Sequence, residues 1–99
     1  MSAYSQRATN SVMSFSVAGV SFRKHYVRQV MDVSEGTEVK LVPEPDNRYD
    51  SGAVKVVVRG VHVGYVPKIL NKSVDLEGSY VLDAIGKFHS GVYVRVRRM

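Results

Sequence analysis

A chain of 99 residues leaves room for one domain with a single core and excludes a second. It contains no cysteine, which rules out a disulfide framework and any thiolate metal site and fits a reducing, cytoplasmic setting. The net charge is +5, and all 9 acidic residues fall between Asp32 and Asp83, so both ends of the chain are purely basic and invite a polyanion as partner.

Met1 to about Ser11 are small and polar and read as a disordered tail, with the domain over residues 12–99. This stretch has no charged lead-in followed by an apolar run, so it is no secretory signal. No segment reaches membrane-spanning length, and no membrane partner is expected. Met13, Phe15 and Val17 then alternate with polar neighbours, the period of a half-buried strand. Gly19 bends it, and Val20 and Phe22 resume the alternation in the other phase. Tyr26, Val27, Val30 and Met31 have helical spacing but include β-branched residues, which predicts a short helix within 23–34. Ser34-Glu35-Gly36 is turn chemistry, and 37–42 alternates again as a strand that Pro43 and Pro45 close.

Ala53 to Val58 and Val61 to Val66 are valine-rich runs joined by Arg59-Gly60, the pattern of a tight β-hairpin. Pro67 is suited to the first turn of a helix reaching about Leu76, because a first-turn proline gives up no intrahelical hydrogen bond. Glu77-Gly78 ends it. Tyr80 to Phe88 and Val92 to Arg97 form a second hairpin around His89-Ser90-Gly91. In it Val92, Val94 and Val96 share one side, and Tyr93, Arg95 and Arg97 the other. Six short strands, one or two short helices and glycine-rich turns predict a mainly β fold, a small six-stranded barrel of the OB-like or SH3-like kind. If the first and last strands are neighbours, the two basic ends merge into one positive face.

The chain is poor in catalytic groups. His25, His62 and His89 lie in three different elements, and none has the spacing of a metal pair or a nucleophile–base pair. His62 alternates with Val61 and Val63 and is expected to point outward. Glu44, Asp46 and Asp50 offer oxygen ligands, but Arg48 sits among them and the spacing matches no calcium loop. No cofactor and no enzymatic activity are expected. The same loop, Asp46 to Gly52, carries Asn and Asp side chains able to close turns on neighbouring amides. Turns do not require an aromatic, however. Tyr49 between Asn47 and Asp50 makes a stacking surface flanked by an amide donor and a carboxylate acceptor, groups suited to holding an exposed base and a sugar hydroxyl.

Val17-Ala18-Gly19-Val20, Gly36, Val39 and Leu41, Glu44 to Asp50, Ala53 to Val56, and Val63-Gly64-Tyr65-Val66-Pro67-Lys68 together resemble the HIRAN domain. The likeness runs from about Val17 to Leu70 and is most specific in the central loop. HIRAN domains occur fused to DNA-repair helicases of the SWI/SNF class and as free-standing bacterial or phage proteins, the kind this chain resembles. The resemblance implies an OB-like barrel that captures the 3′ end of single-stranded DNA between aromatic side chains, with a carboxylate on the terminal hydroxyl. Asn47, Tyr49 and Asp50 then match the binding loop, and Asp50 stands where that carboxylate does. Tyr65 and Lys68 fall at further contacting positions, Phe22 at a stacking aromatic, and Phe88 at another contacting aromatic. Two neighbours depart from the pattern, with Ser21 where an arginine is expected and Arg23 where a second aromatic is.

These expectations converge on a non-enzymatic binder of single-stranded DNA ends, acting in repair or replication. Phe22 and Tyr49 would stack bases, and Lys68, Arg23 and the C-terminal arginines would neutralise phosphates. The alternative is a protein-interaction module that docks on a host DNA repair or replication protein without touching DNA. A third reading, a metal-dependent nuclease, rests only on Glu44, Asp46 and Asp50.

Overall fold

The computed structural model describes residues 12–99, except residue 90 and the side chain at position 88. The expected N-terminal tail lies outside the described residues. Strands β1 (Val12–Ser16), β2 (Glu38–Pro43), β3 (Val54–Val58), β4 (Val61–Tyr65), β5 (Tyr80–Phe88) and β6 (Gly91–Arg98) form one antiparallel sheet in the order β1-β6-β5-β2-β3-β4. The fold is mainly β with little helix, consistent with a small OB-like barrel.

What joins the two outer strands is the short segment after β1. Ala18 and Tyr65 exchange backbone hydrogen bonds of 2.8 and 2.9 Å, so the end of β4 meets the chain leaving β1 and the sheet rolls back on itself. The approach is close enough to need glycine at position 64, where a Cβ would collide with the Ala18 carbonyl oxygen and the Val17 side chain. Gly19 follows in the left-handed region, φ +77°, and turns the chain out of the strand. Here the sequence expectation fails: Val20 and Phe22 do not resume a strand but lie in a 3-10 turn, Val20–Phe22.

Alternation in the strands decides what is buried. Val92, Val94 and Val96 on β6 and Val54, Val56 and Val58 on β3 are buried, and Phe15, Val39, Leu41, Val63 and Leu82 join them in the interior. Each such aliphatic side chain contributes roughly 1.5–3 kcal/mol by leaving water. Arg59 and Gly60 both take positive φ, 50° and 79°, as a two-residue hairpin of the type I′ kind requires. Helix α1 (Lys24–Arg28) is a single turn and a half, shorter than the span its spacing covers, and the segment after it still sinks Val30 beside Val27 in the core.

The helix expected from Pro67 to Leu76 is not formed. Pro67 stays extended at ψ 141°, and only a 3-10 turn, Lys68–Leu70, follows. The sequence beyond it explains why: Asn71, Ser73 and Asp75 are short polar residues whose side chains compete with the helical backbone. Asn71 donates its side-chain amide to Asp50, and Asp75 accepts from the Glu77 amide.

Candidate nucleic-acid interface

The β2–β3 loop leaves Pro43 and returns at Ala53, and its backbone is pinned at the base by Glu44 N–H to Ala53 O at 2.9 Å. Within it, Asn47 Oδ1 accepts from the amides of Tyr49 and Asp50 at 2.9 and 3.0 Å, and Asp50 Oδ1 accepts from the Gly52 amide at 2.9 Å. These are the local side-chain turns that Asn and Asp favour, and they hold the loop tip in one shape. Between them Tyr49 projects outward, 86 % exposed, so it is no part of the core edge.

Two bonds to residues distant in sequence fasten this loop to the rest of the barrel. Glu44 Oε1 accepts from Asn47 Nδ2 at 2.7 Å and from the Tyr65 hydroxyl at 2.8 Å, which ties the loop to the end of β4. Asp50 Oδ2 accepts from Asn71 Nδ2 at 3.0 Å, which ties it to the segment after Lys68. Asn71 is buried, and its amide is thereby satisfied. The bond from Asn47, followed by that from Tyr65, holds the Glu44 carboxyl below its ordinary pKa of 4.5. Burial and the bond to Glu44 raise the Tyr65 phenol above 10, so it remains a donor.

On the other side of Tyr65 stands His62. Its ring meets the Tyr65 ring edge-on, centroids 5.0 Å apart, and its Nε2 lies 3.0 Å from the Gly64 carbonyl. A carbonyl can only accept, so Nε2 is the donor in this contact. Burial, then the neighbouring Arg23 charge, depresses the His62 pKa below 6.5. Arg23 Nε donates to the His62 carbonyl at 2.7 Å, and the guanidinium lies 4.6 Å over the Tyr26 ring. Arg23 therefore clamps the turn Val20–Phe22 onto β4. Phe22, its neighbour, is 90 % exposed.

The sequence-derived residues thus fall into one connected arrangement: Arg23 to His62, His62 against Tyr65, Tyr65 and Asn47 to Glu44, Asn47 to the Tyr49 and Asp50 amides, Asp50 to Asn71. Phe22 and Tyr49 emerge from the two ends of this network. Lys68 is exposed in the 3-10 turn beside Ile69, itself 89 % exposed, and does not stand at the start of a regular helix. The Phe88 side chain lies outside the described residues. His62 does not simply face outward, because its ring lies half-buried against Tyr65.

Sequence reasoning missed the organising role of Glu44 and the part of Asn71. Asn47 follows Glu44 by one turn and could have signalled the first; Tyr65 and the Asp50–Asn71 pair lie 21 residues away in sequence and could not. Among the described residues no group of three or more His, Asp and Glu could hold a metal ion, and Glu44 is occupied by Asn47 and Tyr65.

The C-terminal arginines are engaged elsewhere. β1 and β6 are neighbours, as a merged positive face requires, but Arg95 and Arg97 both pair with Asp83, at 3.0 and 2.7 Å, and Arg98 pairs with Asp75. Among the described residues no helix is long and apolar enough to cross a membrane. Residues 11–98 match the family model described as the HIRAN domain. No curated protein and no solved structure matches the chain.

Proposed function

Because the chain belongs to the HIRAN domain family, which supports nucleic-acid binding in general, we propose that it is a non-enzymatic binder of single-stranded DNA that recognises free 3′ ends, in the cytoplasm, during repair or replication. The observation that carries this reading is the exposure of Tyr49, 86 %, on a loop otherwise fixed by hydrogen bonds. An exposed aromatic on a rigid support loses little freedom when a base stacks on it, and such stacking is worth about 1–3 kcal/mol per base. Phe22 is a second platform of the same kind. Lys68 supplies an exposed cation for a phosphate.

Asp50 fits the terminal hydroxyl by the same logic. Each of its oxygens accepts one hydrogen bond from the protein, from Gly52 and Asn71, which leaves acceptor capacity for one more donor. A 3′-hydroxyl can donate there, whereas a 3′-phosphate would set a second negative charge against the carboxylate. Fluorescence anisotropy with strands ending in either group tests this directly: the hydroxyl strand is expected to bind at least tenfold tighter. Equal affinities would remove end recognition and leave a general single-strand binder.

One observation favours protein docking instead, the exposure of Ile69, 89 %, which adds an aliphatic surface that bases do not need. Absence of any salt-sensitive binding to single strands in the same assay would select that reading.

A further inference from the structure

The C-terminal arginines are held by acids, and this leaves the rest of a bound strand in need of a basic path. A different part of the surface offers one. Between α1 and the β5–β6 hairpin lies an open cleft of about 270 Å³. Its apolar side is Val27, Met31 and Val92; its rim carries Lys24 and Arg28 from α1 and Lys87 from β5. Lys24 and Arg28 are four residues apart and so share one helix face. All three cations are exposed, and among the described residues none of them forms an ion pair. No acidic residue lines the cleft.

The 3-10 turn closes another side of it. Val20 and Ser21 line the cleft, and the next residue is the exposed Phe22. One turn of backbone therefore separates a stacking aromatic from three free cations and a hydroxyl. The volume is just below the roughly 300–1,000 Å³ of ordinary small-molecule pockets, and the cleft is open, which suits one unit of a polymer passing through better than an enclosed ligand.

We infer that this cleft binds the sugar–phosphate backbone of the same DNA strand upstream of its 3′ end. Lys24, Arg28 and Lys87 neutralise successive phosphates, the Ser21 hydroxyl donates to one of them, and a base lies on Val27 and Met31. The inference rests on the single-strand reading above and extends it from an end pocket to a track of several nucleotides.

The test compares oligothymidylates of three and twelve nucleotides, both with free 3′-hydroxyls, on the wild-type chain, on the triple variant Lys24→Gln, Arg28→Gln, Lys87→Gln, and on Tyr49→Ala. The wild type is expected to bind the 12-mer more tightly than the 3-mer and with a steeper salt dependence. In the triple variant the 12-mer should fall to the affinity of the 3-mer, with its log–log salt slope shallower by about 2, the release expected for three phosphate contacts on a single strand. The 3-mer should be unchanged there, and Tyr49→Ala should weaken both lengths. A triple variant that keeps the wild-type slope, or that weakens both lengths alike, overturns the track while the end-binding reading stands. No binding of either length by the wild type overturns both.

Discussion

Glu44 Oε1 takes hydrogen bonds from two donors, Asn47 within its loop and Tyr65 at the end of β4. Removing that acceptor in Glu44→Ala leaves both donors to water and releases the loop that presents Tyr49. Binding must then order one or two loop side chains at the moment of contact, so affinity for single strands is expected to fall about three- to tenfold. The effect carries its own pH signature. The carboxyl is depressed below 4.5, so its hold on the loop is complete above pH 4.5 and is lost as pH falls through its folded value. The Tyr65 phenol is raised above 10, so the donor is complete below pH 10. Wild type and Glu44→Ala should therefore differ by a constant factor across the neutral range and converge in acid, as read by anisotropy titrations at several pH values. A difference that persists unchanged well below the carboxylate range would mean Glu44 acts through something other than its charge. Tyr49, Asn47 and Asp50 were legible from the sequence because their chemistry is contiguous. Glu44 was not, since its meaning depends on a tyrosine brought near only by folding.

At the scale of elements, the closure between Ala18 and Tyr65 is the joint on which the interface is hung. It fixes the turn carrying Phe22 on one side and the hydroxyl that meets Glu44 on the other. Gly64 is the residue that permits it, and Gly64→Ala forces the added carbon against the Ala18 carbonyl and Val17. Overpacking of this sort costs typically 1–3 kcal/mol. A lowered midpoint in urea unfolding, with DNA affinity reduced as Tyr65 shifts, is expected; a variant as stable as the wild type would show that the two segments separate at no cost. Both hairpins were readable from the sequence, because period-two valines and the Arg59-Gly60 and His89-Ser90-Gly91 turns are local signals. The joint was not, as an isolated bridge of one residue pair has no periodicity. The segment after Pro67 misled for the opposite reason: a good helix start was present, but Asn71 and Asp75 turn their side chains to other partners.

At the scale of the whole molecule, the arginines of β6 are held by acids while Lys24, Arg28 and Lys87 form no ion pair among the described residues, and that contrast predicts which surface DNA uses. On the outer face of β6, Arg95 and Arg97 flank Asp83, whose carboxylate side chain is only 6 % exposed. The bond from Arg97, with that from Arg95, pulls the Asp83 pKa below 3.8, and the same contact raises that of Arg97. A carboxyl depressed by folding contributes stability that is complete above pH 3.8 and lost as pH falls through its folded value. Asp83→Asn gives up that contribution, so its melting temperature should lie about 2–6 °C below wild type at neutral pH, with the gap closing in acid. The same substitution frees two arginines on that face. If DNA followed the merged basic ends, binding would tighten and the salt slope would steepen by about 1–2. With the strand instead passing Phe22 toward Lys24, Arg28 and Lys87, the affinity for a 12-mer should stay within about twofold of wild type, as long-range charge is largely screened beyond about 8 Å in physiological salt. Measured side by side, melting and anisotropy separate the two faces: a variant that melts lower yet binds as before assigns Asp83 and its arginines to stability, and one that binds more tightly returns them to the DNA path.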